Sequence, residues 1–78
     1  MKTLITWLDG EGKEIHSNLF APDLVESGKW KEGGITKIGN PTHPEGATLL
    51  LPHRIVKLEK GTFREEDVHI VHLQKVPN

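Results

Sequence analysis

The stretch TLITWLDGEGKEIHSNLF, residues 3–20, contains two short alternating segments on either side of a glycine-rich turn. In residues 3–8 apolar side chains alternate onto both faces of an extended chain, which is typical of a central strand. Asp-Gly-Glu-Gly at 9–12 permits the positive φ angles that tight hairpins need. We therefore predict a β-hairpin between residues 3–8 and 14–20.

The rest of the chain repeats this pattern of short strand candidates and breakers. Strands are predicted at 35–38, 47–51, 54–60 and 68–76, with Val56 and Leu58 on one face of the third segment and Ile55 on the other. Gly61 is expected to end that segment. The capping-box spacings Asp23-x-x-Glu26 and Thr62-x-x-Glu65 predict one or two short helical turns. Leu24 and Val25 are expected to cover one end of the core.

Five or six short strands with hardly any helix indicate a mostly β fold. We predict one domain over residues 1–78, a small barrel or a strongly bent antiparallel sheet of SH3-like or OB-like size. A chain of 78 residues buries only about 60% of the surface of its unfolded form, and it has no cysteine for a disulfide. A homodimer that shares its core therefore stays open as an alternative.

Composition excludes several functional classes. Ten Lys and Arg residues against eleven Asp and Glu residues give a net charge of −1, which is not the balance of a strongly electrostatic nucleic-acid binder. The short apolar start and the absence of a long apolar run predict no signal peptide, no membrane span and a cytoplasmic location. Without cysteine, thiolate zinc sites and iron–sulfur sites are excluded.

Catalytic and metal chemistry find little support in the sequence. Ser17 and Ser27 lie in no nucleophile motif, and no phosphate-binding loop is present. His69 and His72 lie three apart in a predicted strand, so their side chains project to opposite faces and cannot hold one ion together. We predict no enzyme activity, no cofactor and no metal site. A metal site or pH switch that depends on the histidines is a third hypothesis behind the two below.

Protein recognition is the function that the sequence favours. Trp30 lies between Lys29 and Lys31 next to two glycines, a composition typical of binding hot spots. The loop at 39–46 around His43 is long for so small a domain, and such loops often carry function. The alternative is that Trp30 packs on the core and that the loop only connects two strands. The binding interpretation and this structural interpretation both stay open.

We therefore predict a non-catalytic protein-binding module, an adaptor or an inhibitor of a cellular protein. Small cysteine-free chains of this kind are typical of accessory proteins, including those of phages and mobile elements. The predicted contact residues are Trp30, Lys29, Lys31 and His43, with a charged rim of Arg54, Lys57 and Lys60. The alternative is a small β-barrel that binds single-stranded nucleic acid or RNA through Arg54, Lys57, Lys60 and Arg64.

Overall fold

Five strands make up most of the computed structural model, which describes residues 1–20, 23–25 and 28–76, without the side chain of Ala47. The strands are β1 (Lys2–Leu8), β2 (Glu14–Phe20), β3 (Ile35–Gly39), β4 (Leu50–Phe63) and β5 (Glu66–Lys75), and a 3-10 turn spans Gly46–Thr48. The predicted hairpin is confirmed, since β1 and β2 pair antiparallel on either side of residues 9–13. Within the described residues, no helix is long and apolar enough to span a membrane.

The strands form one sheet in the order β2-β1-β5-β4-β3. The sheet is curled into a half-barrel, which confirms the predicted mostly β fold of a bent sheet. Three of its pairings are antiparallel, whereas β1 and β5 run parallel in the centre. The sheet is therefore made of the β1–β2 hairpin and the β3–β4–β5 unit, joined by the contact between the first and the last strand.

The hydrophobic core lies on one face of the sheet, which we call the inner face. It is built from five buried side chains of the three central strands, namely Ile5, Trp7, Ile55, Val71 and Leu73. The opposite face is the outer face. As predicted, His69 and His72 lie on different faces, His69 with Val71 on the inner face and His72 on the outer face.

A loop segment covers the inner face, as the sequence predicts for Leu24 and Val25, and both side chains pack on the core cluster. The segment is held by the backbone N–H of Leu24, which donates to Oγ1 of the buried Thr3 at 3.2 Å. The Asp23 carboxylate lies 3.7 Å from Nδ1 of His69. The predicted capping box at this point involves Glu26, which lies outside the described residues.

The alternation predicted for residues 54–60 is wrong because β4 contains a bulge. The register with β5 shifts between Ile55 and Lys57, so Val56 is an extra residue. Ile55 and Leu58 therefore share the inner face, whereas Val56 is 44% exposed. Strict alternation of faces puts residues three apart on opposite sides of a strand. Alternation alone therefore assigns Ile55 and Leu58 to opposite faces, because it does not include the inserted residue.

The start of β4 also differs from the prediction. The segment 47–51 was expected to be a buried strand, but a 3-10 turn occupies Gly46–Thr48, and Leu49 and Leu50 are exposed. Pro52 lies inside β4, which continues through it. Pro52 precedes His53, where pairing with β5 begins, so its missing N–H lies near the start of the strand, where proline is tolerated.

The far end of β4 corrects two further predictions. Gly61 does not end the strand, which continues to Phe63; a Cβ at Gly61 would lie 2.7 Å from Cδ1 of Ile70, so glycine leaves room for that side chain. The helical turn predicted at 62–67 is wrong. Phe63 and Glu66 pair across a tight two-residue turn, whose central residues Arg64 and Glu65 have φ of 50° and 67°.

This turn leads to a stability prediction, because two non-glycine residues occupy the left-handed region that the turn requires. The left-handed conformation costs a residue with a Cβ about 1–2 kcal/mol, and glycine avoids most of that cost. We expect Glu65→Gly to raise the free energy of unfolding by about 1 kcal/mol in urea denaturation. Lys60→Gly, in the regular part of β4, is the control and should lower it by about 0.5–1 kcal/mol. A loss of stability in Glu65→Gly would contradict the turn.

Candidate binding groove

The half-barrel leaves two free strand edges. Within the described residues, no strand pairs with the far side of β2 or of β3. β2 has seven residues and contains neither lysine nor proline, the residues that commonly protect an edge. β3 is shorter and carries Lys37 in its middle. The edge of β2 is therefore the less protected of the two.

A groove of about 230 Å³ lies between these edges, on the inner face of the sheet. We call it the β2–β3 groove; it is lined by Trp7, Asn18, Phe20, Ile38, Gly39 and Pro41. None of these six residues is charged, and most of the lining is apolar. Such a lining suits a neutral or apolar group rather than a phosphate or a carboxylate.

The groove reaches the core through Trp7. This side chain is only 2% exposed, yet it lines the groove and also belongs to the core cluster. Its buried Nε1 has no hydrogen-bond acceptor within the described residues. A buried indole N–H usually has an acceptor, so this donor is an energetic cost in the core.

A polar network stands beside the groove. Asn40, which lies between the lining residues Gly39 and Pro41, is buried and contacts Nε2 of His53 through Nδ2 at 3.2 Å. Oδ1 of Asn40 accepts from the backbone N–H of Thr42 at 2.9 Å and from the Thr42 hydroxyl at 2.6 Å. Nδ1 of His53 lies 2.8 Å from the carbonyl oxygen of Leu51. These contacts fix the loop that follows β3.

Burial determines the charge state of His53, whose side chain is fully enclosed. Desolvation lowers the pKa of His53 below its ordinary value of 6.5, and the nearby Lys75 cation acts in the same direction. The hydrogen bond to Leu51 raises the pKa; it is a weaker influence than desolvation and a stronger one than the Lys75 charge. His53 is therefore a neutral imidazole at pH 7.

The residues predicted for the protein contact lie in two separate loops. Trp30 is half-buried, its N–H donates to the carbonyl oxygen of Leu24 at 3.1 Å, and its side chain packs on the core cluster. Lys29 and Lys31 beside it are exposed. His43 lies in the loop after β3, two residues beyond the groove residue Pro41, and its Nδ1 accepts from the N–H of Glu45 at 3.2 Å. Of these residues, His43 is adjacent to the groove in sequence.

The predicted charged rim is divided between the two faces of β4. Arg54 and Lys57 pair with Gln74 and His72 and lie on the outer face, whereas Lys60 pairs with His69 and lies on the inner face. Arg64 is in the hairpin turn, with its guanidinium 5.2 Å from the centre of the Phe63 ring. The four cations of the nucleic-acid hypothesis therefore do not form one basic surface.

A polar cluster on the outer face is the other group of titratable residues. Nζ of Lys57 and Nε2 of His72 lie 3.1 and 3.3 Å from the same oxygen of Glu59. The hydrogen bond and charge of Lys57, followed by those of His72, lower the pKa of the Glu59 carboxyl. Within the described residues, no three side chains of the metal-binding types come close enough together to hold an ion.

Comparison of the chain with models of protein families, with curated proteins and with solved structures found no match. The groove must therefore be interpreted from its own geometry.

Sequence reasoning missed the groove itself. Trp7 and Phe20 were recognisable as large side chains on one face of the first hairpin, but Ile38 and Pro41 come from a distant part of the chain. They face the hairpin only because the sheet curls and because β1 pairs with β5. One signal was present in the sequence, since residues 14–20 contain no lysine whereas residues 35–39 contain Lys37.

Proposed function

We propose that this chain is a non-catalytic protein-binding module that takes up an extended segment of a partner protein along β2. The observation that carries the proposal is the apolar β2–β3 groove between two unpaired strand edges. A module of this kind would act as an adaptor, or as an inhibitor of a cellular protein whose exposed segment it occupies.

The edge of β2 supports a backbone-mediated mode of binding. An added strand would pair with the free N–H and C=O groups of β2, which supply affinity without requiring a particular sequence. Its alternate side chains would enter the groove and contact Phe20 and Ile38.

The charges of the groove support the choice of a protein over a nucleic acid. The groove lining is uncharged, and the four cations considered for nucleic-acid binding are spread over both faces of β4 and the turn after it. An electrostatic binder needs its cations along one track, because the phosphate backbone is a continuous line of charge. The geometry therefore favours an apolar protein segment.

The test compares two neighbouring positions on β2. Asn18 and Ser17 are both exposed, but Asn18 lies on the inner face at the groove and Ser17 on the outer face. Asn18→Lys puts a long charged side chain into an apolar groove, so we expect the affinity for the partner protein to fall at least tenfold. Ser17→Lys is the matched control and should retain it.

The measurement is capture of proteins from a nuclease-treated lysate of the source cells by the tagged chain and by both variants at pH 7.5. A discrete protein that is retained by the wild type and by Ser17→Lys, and lost from Asn18→Lys, would support the proposal. Equal retention by all three would exclude the groove as the site. Material that disappears with nuclease would favour the nucleic-acid alternative, and self-association alone would favour the homodimer.

A further inference from the structure

The polar network beside the groove fixes the protonation state of each member. The backbone N–H of Thr42 can only donate, so the Asn40 atom 2.9 Å from it is the amide oxygen. The amide NH2 group of Asn40 therefore faces Nε2 of His53, which must accept. Nδ1 of His53 then carries the ring hydrogen and donates to the carbonyl oxygen of Leu51. The network is complete with a neutral imidazole in one tautomer.

Protonation of His53 is incompatible with this arrangement. It would place a hydrogen on Nε2, opposite the NH2 group of Asn40, so that two donors would face each other. Rotation of the Asn40 amide by half a turn would supply an acceptor to His53. The same rotation would turn the NH2 group toward the N–H of Thr42, which would then lose its acceptor.

We propose that protonation of His53 releases the loop at residues 40–45 and thereby opens one wall of the β2–β3 groove, so that binding at the groove is lost in mild acid. The link to binding rests on the proposed function, whereas the release of the loop does not. The coupling is short, because Asn40 lies directly between the lining residues Gly39 and Pro41. Loss of the contact between Asn40 and His53 would therefore directly affect the position of Gly39 and Pro41, which form this wall of the groove.

The groups that face His53 set the direction of the response. Its cross-strand neighbours are Thr36 on β3, which is neutral, and Lys75 on β5, whose cation opposes protonation. The Asn40 side chain, which contacts it from the loop, is neutral. His43 is a second titratable group of the loop, and its Nδ1 accepts from the N–H of Glu45. Any test must separate His43 from His53.

Nuclear magnetic resonance of the labelled chain between pH 7.5 and 5 can follow the whole sequence of events. The ring carbons of His53 report its protonation, the amide of Thr42 reports the loop, and the indole N–H of Trp7 reports the groove. We expect the Thr42 and Trp7 signals to titrate with the same midpoint as His53. Exchange of the Thr42 amide, corrected for its intrinsic pH dependence, should rise at least tenfold.

Two variants keep the outcome specific. Asn40→Asp replaces the amide by a carboxylate of the same shape, which can accept from protonated His53 and from Thr42 at once, so the Thr42 amide should no longer respond to pH. The carboxylate should also raise the pKa of His53. His43→Asn keeps a side-chain acceptor for the Glu45 N–H without a titrating ring, and its response should equal that of the wild type.

Several results would overturn the proposal: Thr42 unchanged while His53 titrates, the response lost in His43→Asn, or unfolding of the whole chain in step with His53. These readouts need no partner, so they stand even if nothing is captured at pH 7.5. If a partner is captured, its retention below the pH at which His53 titrates should fall at least fivefold with the wild type and hold with Asn40→Asp. Retention that is independent of pH in both would contradict the link to binding alone.

Discussion

Ile55→Ala is expected to lower the free energy of unfolding by about 2–5 kcal/mol, whereas Val56→Ala should change it by less than about 0.5 kcal/mol. Ile55 is 1% exposed and belongs to the core cluster, whereas Val56 is the extra residue of the bulge and is 44% exposed. The cost at Ile55 combines the lost burial of its side chain with the cavity that remains.

Urea denaturation followed by the fluorescence of Trp7 and Trp30 would measure both changes. Natural domains have a free energy of unfolding of about 5–15 kcal/mol, and a chain this small lies near the lower limit. A loss at the upper end of the range for Ile55→Ala would unfold much of the protein, so Ile55→Val is the milder companion, with an expected loss of about 0.5–1.5 kcal/mol. A larger loss at Val56 than at Ile55 would place the bulge elsewhere in β4.

Acidification from pH 6.5 to pH 5 is expected to lower the free energy of unfolding by up to about 2 kcal/mol through His53. The pKa of His53 is lowered in the folded protein from its ordinary value of 6.5. Between the pKa of His53 in the folded protein and its pKa in the unfolded chain, the unfolded chain binds more protons. The free energy of unfolding therefore falls as the pH falls through this range. The contribution is complete above pH 6.5 and is lost as the pH approaches the folded pKa.

His53→Gln is the control for this pH dependence, because glutamine offers one donor and one acceptor without a titrating ring. Urea denaturation at several pH values should give a smaller slope between pH 6.5 and 5 for this variant than for the wild type. The pKa values of Asp9 and Glu59 are lowered from ordinary values of 3.8 and 4.5. These carboxyl groups therefore change the stability only below the pH range of this experiment. Equal slopes in both proteins would show that His53 is not the group responsible.

The sequence allowed the local hairpin to be predicted, together with the mostly β class and the opposite faces of His69 and His72. These features depend on alternation and on glycine-rich turns, which are local properties. The errors fell where tertiary contacts decide the outcome. The bulge at Val56 is set by how Ile55 and Leu58 share the core, and Gly61 is a strand residue because Ile70 packs over it.

The hairpin at Arg64 and Glu65 was missed because neither residue prefers a positive φ, and the same residues fit a helix cap equally well. The groove could not be predicted for a different reason. Its walls come from both ends of the sheet, so its existence depends on strand order, which short-range patterns do not contain. Residues such as His53 and Asn40 give no sign in the sequence that they meet.

The parallel contact between the first and the last strand has a consequence for the order of events during synthesis. The β1–β2 hairpin leaves the ribosome before the β3–β4–β5 unit, and within the described residues it joins that unit through β5, so the sheet cannot close until the end of β5 has emerged. Contacts between such distant parts of a chain form slowly. Until then β1 exposes a free edge and the side chains of the future core, and both features favour aggregation of a nascent chain.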